Sequence, residues 1–232
     1  MVIEKIKKID VWGDSVLKGI IYDKNRGRYT RLREENAVHG LKSMGLDIRN
    51  NSHFGLTAPK ARDLMIRALD KGIDCEVAVI EFGGNDCDYN WKEVSQYPEK
   101  EHRCNTPLDV FKQCIIDMVN MLKNKNIRPV LMNLPPIDSV RYFKWISRGL
   151  NPNNILNWLG DVHRIYRHHE CYNLCIMSLA GSLGCDLIDV RQPFLMQKDY
   201  SQFLCEDGIH PNQRGHALIQ AVMSDYVKSF AF

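Results

Sequence analysis

Ser15 stands at the exit of the short apolar run Val11-Trp12-Gly13-Asp14-Ser15, and Asp207 and His210 lie three residues apart in Asp207-Gly208-Ile209-His210-Pro211 near the far end of the chain. A serine hydroxyl is a weak nucleophile until an adjacent base takes its proton, and an imidazole base needs a carboxylate to hold its tautomer and stabilise the imidazolium. These two segments contain all three groups, so the chemistry they suggest is acyl transfer with Ser15 as nucleophile, His210 as base and Asp207 as its partner. Acyl transfer also needs donors for the oxyanion. Asn85, in Gly83-Gly84-Asn85-Asp86, offers a side-chain amide just past an apolar run, Gly55 in Phe54-Gly55-Leu56-Thr57 offers a backbone N–H, and Ser15 offers its own. Taken singly, Gly-Asp-Ser and Asp-Gly are ordinary turn sequences. The function rests on the fold bringing them together.

Alternating strand and helix patterns would do that. Ile6, Ile9, Val11 and Trp12 mark a first strand, Leu46-Asp47-Ile48 a second, Cys75–Phe82 a third, Pro129–Leu134 a fourth and Cys185–Val190 a fifth. The continuous run Val77-Ala78-Val79-Ile80 fits a strand covered on both faces. Residues 18–30 suggest a loop, and a helix is expected from about Thr30 to Ser43, stopped by Gly45. Thr57 and Pro59 should open a helix with Ala61, Leu64, Met65, Ala68 and Leu69 on one face. Leu108, Phe111, Ile115, Val119 and Leu122 mark another, a long one should run from Trp158 through Leu179, and Leu218, Val222 and Tyr226 mark the last. The pattern predicts an α/β fold with a mostly parallel sheet of about five strands and helices on both faces. Right-handed crossovers then put the turns beginning at Gly13, Asn50, Gly83 and Pro135 on one rim, where such sheets bind ligands. One domain is expected over residues 1–232, with inserts near 87–106 and 138–160.

Gly13-Asp14-Ser15, Gly55, Gly83-Gly84-Asn85-Asp86 and Asp207-Gly208-Ile209-His210-Pro211-Asn212 occur in an order and spacing that resembles the SGNH (GDSL-type) hydrolase family, across most of the chain. The resemblance implies a flavodoxin-like, three-layer α/β/α fold and ester hydrolysis through an acyl-serine. It assigns Ser15, Asp207 and His210 to the catalytic triad and Ser15, Gly55 and Asn85 to the oxyanion hole, without metal or organic cofactor. The Gly55 block departs from the more polar Gly-Asx-Thr common in the family.

Other classes fit less well. A net charge of +3 and no basic run beyond Lys7-Lys8 argue against nucleic acid. There is no apolar stretch of membrane-spanning length and no apolar h-region within the charged N-terminus, so a cytoplasmic protein is expected. The eight cysteines show no paired framework and are expected as free thiols. His163, His168, His169, Cys171 and Cys175 lack the repeated spacing of zinc sites, so a helix face with buried thiols is expected there, with His169 a satisfied core histidine. Gly13 to Gly19 lacks the Gly-Lys-Ser/Thr ending of a phosphate loop. The remaining alternatives are a thioesterase or acyltransferase using the same serine, and a non-catalytic flavodoxin-like small-ligand binding protein. The expected partner is a small-molecule ester, with a short acyl group such as acetyl. The aromatic inserts, with Tyr89, Trp91, Tyr97, Tyr142, Phe143 and Trp145, would wall the pocket, form satellite cores or make a homo-oligomer contact.

Overall fold

The structure is a computed structural model that describes residues 6–231. Its strands are β1 (Lys8–Gly13), β2 (Ile20–Asp23), β3 (Arg28–Arg31), β4 (Asp47–Asn50), β5 (Val77–Glu81), β6 (Arg128–Met132) and β7 (Asp186–Ile188). Five of them form a parallel sheet in the order β4-β1-β5-β6-β7, while β2 and β3 pair as a separate antiparallel hairpin. In chain order the five core strands therefore run 2-1-3-4-5, the flavodoxin-like arrangement, whose ligand crevice lies beyond the carboxyl ends where the order reverses. Here that point lies between β1 and β5, which run in register from Ile9 opposite Val77 to Gly13 opposite Glu81.

The helices are α1 (Ser15–Lys18), α2 (His39–Lys42), α3 (Ala58–Asp70), α4 (Trp91–Gln96), α5 (Leu108–Asn124), α6 (Ser139–Ile146), α7 (Pro152–Leu159), α8 (Arg164–Leu183), α9 (Arg191–Leu195) and α10 (Gln213–Ala231). Successive strand residues point to opposite faces, and β5 shows the result. Ala78 and Ile80 pack into a core with α3, α5 and α8, while Val77 and Val79 pack into a second core with α1, α2, α9 and α10. A strand buried on both faces has no polar side to present, which explains its unbroken apolar run. Helix α5 buries Phe111, Ile115, Val119 and Leu122 at three-four spacing, with Cys114 and Met118 filling the same face.

Four local expectations are corrected. Residues 18–30 are not a plain loop: β2 and β3 occupy most of the span, and the Asp23 carboxylate caps the turn by accepting from the N–H groups of Asn25 and Arg26. No helix runs from Thr30 to Ser43. Asn36 donates to the carbonyls of Leu32 and Arg33 and accepts from the N–H groups of Val38 and His39, and this local competition leaves only α2. The long helix begins at Arg164 rather than Trp158, because Gly160 ends α7 with φ 73°. At the start of α3 the Thr57 side chain makes no capping bond; the Asp86 carboxylate accepts from the Ala58 N–H at 2.9 Å and ties the helix to the turn after β5.

The inserts have structure of their own. Residues 87–106 contain α4, and 138–160 contain α6 and α7. Trp91, Val94, Ile137, Tyr142, Ile155, Leu159 and Ile165 form a third apolar cluster, beyond the carboxyl edge of the sheet.

Candidate active site

Ser15 follows β1 at the first position of α1. Asp14 caps that helix through a bond from the Val16 N–H at 2.9 Å. Gly13 is needed at the bend, since a Cβ there would lie 2.9 Å from Leu17 and 3.0 Å from the Glu81 carboxylate. At the other end of the chain, residues 205–212 form a tight loop. The Cys205 N–H donates to the His210 carbonyl at 2.8 Å, and the Asp138 N–H donates to the Gly208 carbonyl at 2.8 Å. Gly208 has φ 77°, and a Cβ there would meet the Asp138 carbonyl at 2.7 Å. The loop is thereby docked on the start of α6.

This loop brings His210 Nε2 to 2.9 Å from Ser15 Oγ across 195 residues of sequence. Its Nδ1 lies 2.6 Å from Asp207 Oδ2, and Asp207 Oδ1 accepts from the N–H groups of Ile209 and His210 at 3.1 Å each. Burial pushes the Asp207 carboxyl up, but the His210 ring and the two amides outweigh it and hold it below the ordinary range. An ionised carboxylate can only accept, so Nδ1 carries the imidazole proton and the Nε2 lone pair faces the serine hydroxyl.

Asn85 lies in the turn after β5 and lines the same cavity as Ser15 and His210. Its amide donates to Asp14 at 2.8 Å and, at a longer 3.3 Å, to the Leu56 carbonyl. Gly55 is exposed, with φ 72°, in the turn that also carries Phe54; Phe54 lines the cavity and Gly55 does not. The structure thus brings Ser15, Asn85 and His210 to one cavity, sets Asp207 behind His210, and leaves Gly55 outside the cavity wall.

Burial dominates the electrostatics beneath the serine. It raises the Asp14 carboxyl to about 6, against the bond from the Val16 N–H, the charge of His210 and the Asn85 amide. Burial and the neighbouring Asp14 charge push Glu81 well above the carboxylate range. Burial beneath the serine thus favours the neutral form of Glu81.

The cavity holds about 310 Å³ and is mostly apolar. Trp91, Tyr142, Trp145, Ile137 and Leu159, all from the inserts or their borders, form much of its wall. The inserts are thus a satellite core and a pocket wall at once. Two contributors are missing from the set expected on sequence grounds. Tyr29, on β3, packs 5.0 Å from the His210 ring, and the Phe54 ring lies nearly parallel to it at 6.0 Å. The alternation of Ile20-Ile21-Tyr22 and Arg28-Tyr29-Thr30 about an Asn-Arg-Gly turn was the available signal for the hairpin. His169 requires a correction. It is buried and lines the cavity, but its Nδ1 has no hydrogen-bond partner, so it is not a satisfied core histidine. Burial, with Arg191 and His168 nearby, lowers it to about 3 and keeps the ring neutral.

Among the described residues, no three His, Cys, Asp or Glu side chains gather as a cation site, and all eight cysteines are unpaired. No described helix is long and apolar enough to cross a membrane.

A parallel sheet of this order with such a site defines a class of α/β hydrolytic enzyme. The sequence matches the GDSL-like lipase/acylhydrolase family over residues 11–218, and the chain belongs to that family and is an ester hydrolase. No curated protein matches it. Solved structures share its fold. The lipase/acylhydrolase from Enterococcus faecalis is 18% identical with a TM-score of 0.67, covering 97% of this chain and 96% of its own. Est24, a carbohydrate acetylesterase from Sinorhizobium meliloti, is 15% identical with a TM-score of 0.68, covering 96% and 99%. The psychrotrophic esterase EstA from Pseudoalteromonas sp. is 16% identical with a TM-score of 0.61, covering 97% and 98%.

Proposed function

We propose that the protein hydrolyses carboxylic esters through an acyl-serine intermediate on Ser15. The observation that carries this reading is the continuous hydrogen-bonded line from Ser15 Oγ to His210 Nε2 at 2.9 Å and from His210 Nδ1 to Asp207 at 2.6 Å. His210 takes the hydroxyl proton as Oγ attacks the carbonyl carbon. The tetrahedral oxyanion is met by the Ser15 N–H and by the Asn85 amide, which gives up its long bond to Leu56 while Asp14 holds the other N–H. The Gly55 N–H is the third donor and joins by a small movement of its turn. As the intermediate collapses, the ester C–O bond breaks and His210 protonates the departing alcohol. Water then attacks the acyl-serine, giving its proton to His210, and the acid leaves as Ser15 recovers its hydrogen.

The acyl group transferred is short, with acetyl the simplest case. The fold shared with Est24, described as a carbohydrate acetylesterase, supports this choice. A small-molecule ester suits a cavity of about 310 Å³. The eight unpaired thiols support a reducing, cytoplasmic setting.

The test is turnover of 4-nitrophenyl acetate together with labelling by a fluorophosphonate. Ser15→Ala should lose both, and free acetate should be released by the wild type without any added alcohol acceptor. Turnover retained in Ser15→Ala would reject Ser15 as nucleophile, and acid release that requires an acceptor would point to acyl transfer.

A further inference from the structure

The chamber that begins at Ser15 is bounded elsewhere by α8, which supplies Arg164, Ile165, His168 and His169 to its wall. His169 is 4% exposed and Nδ1 has no partner. A buried ring whose polar atom is left unpaired costs free energy that folding alone does not recover, so such a ring on the wall of a ligand cavity points to a group supplied from outside. Its neighbours are already engaged. His168 Nε2 lies 3.1 Å from the Tyr89 hydroxyl. The Arg164 guanidinium packs over the Trp158 ring at 5.1 Å and donates to the Trp158 carbonyl at 3.2 Å. Arg191 pairs with Glu170 and donates to the Leu134 carbonyl and the Tyr166 hydroxyl.

Resting on the hydrolase reading above, we infer that the larger half of the ester enters this chamber as a flat, apolar body bearing a neutral hydroxyl, which hydrogen-bonds to His169. A neutral hydroxyl is the matching group because the buried His169 ring carries no charge of its own, and Arg164, the guanidinium on this wall, is already held against the Trp158 ring and carbonyl. A neutral imidazole has one N–H and one lone pair, and a hydroxyl, donor and acceptor in one group, suits either tautomer. Flatness follows from the aromatic side chains of Trp91, Tyr142 and Trp145 on the wall, against which an aromatic body packs.

Two matched ester pairs test the inference. One is 2-phenylethyl acetate against 2-(4-hydroxyphenyl)ethyl acetate, with the hydroxyl on the alcohol half. The other is methyl 3-phenylpropanoate against methyl 3-(4-hydroxyphenyl)propanoate, with it on the acyl half. The hydroxylated member of at least one pair should show kcat/KM higher by about tenfold or more. The pair that responds identifies which half occupies the chamber; a response only in the second would correct the short-acyl assignment and keep the chamber's role. His169→Leu should bring that ratio close to one, and His169→Asn, which retains an amide donor and acceptor, should restore part of it. A thermal melt checks that each variant folds. If His169→Leu does not fold, the wild-type ratios decide.

Binding separates this idea from the catalytic one. In calorimetry on Ser15→Ala protein, free 2-(4-hydroxyphenyl)ethanol should bind about tenfold more tightly than 2-phenylethanol, or 3-(4-hydroxyphenyl)propanol more tightly than 3-phenylpropanol. Such a difference with no ester turned over by the wild type would uphold the chamber and reject the hydrolase reading. Turnover with ratios near one in both pairs, or a ratio that survives in folded His169→Leu, would overturn the role of His169 and leave the hydrolase reading standing.

Discussion

At the residue scale, the proposed catalysis turns on the placement of one proton. Asp207 is buried, ionised and bound to the backbone amides of Ile209 and His210, so it can only receive the Nδ1–H and thereby presents the Nε2 lone pair to Ser15. Asp207→Asn should keep the loop, because the amide oxygen still accepts from Ile209 and His210, but its N–H₂ favours the wrong imidazole tautomer. Steady-state kinetics should show kcat lower by roughly 10⁴-fold with KM little changed. Asn85→Ala removes one oxyanion donor and should lower kcat by roughly 10²- to 10³-fold, again with little effect on KM. A rise in KM alone would mean that Asn85 binds substrate rather than the transition state. Ser15, Asn85, Asp207 and His210 were legible in the sequence because few residue types can do these jobs and each stands beside a turn. His169 was not: its spacing on α8 fits a core position, and the missing partner of its Nδ1 is visible only once surrounding elements are placed.

At the element scale, rigid loops hold the site. Gly208 shows how little room they leave: its φ is 77°, and a Cβ added there would fall within 2.9 Å of the Asp138 and Tyr142 backbone. Gly208→Ala should lower the thermal midpoint and reduce kcat/KM by more than the loss of folded protein explains, because it pushes the Asp207–His210 loop away from α6. An unchanged midpoint would show that the loop relaxes freely. Elements with unmixed signals were readable. The apolar run of β5 and the three-four series of α5 each have one stable solution. The region from 18 to 43 was not, since charged residues and glycine dilute the alternation of β2 and β3, and Asn36 diverts its neighbours from a helix through side-chain bonds to the backbone. That error hid Tyr29 and its contact with His210.

At the scale of the whole molecule, the parallel sheet places the β1 exit, the 205–212 loop and the β5 turn at one edge, and it buries acids to do so. Asp86, which ties that turn to α3, is raised from 3.8 to about 6, chiefly by burial. The folded state thus holds a proton that the unfolded chain has released between about pH 4 and 6, so Asp86 makes stability fall as pH rises through that window. Asp86→Asn keeps an acceptor for the Ala58 N–H and removes this slope. Urea titrations should show the variant gaining on the wild type by on the order of 2–3 kcal/mol between pH 4 and 6.5; parallel stability curves would show that Asp86 ionises freely. The parallel sheet of about five strands and the shared edge were inferable from strand-helix alternation and crossover handedness, whereas the packing of the inserts into a chamber wall was not, because their aromatic residues follow no single period. In the proposed mechanism Ser15 becomes acylated by way of His210. Mass spectrometry of protein quenched during turnover of 4-nitrophenyl acetate tests it most directly. An acetyl adduct on the peptide bearing Ser15, absent in His210→Ala, is the predicted result; steady turnover with that peptide never modified, and undiminished in His210→Ala, would contradict it.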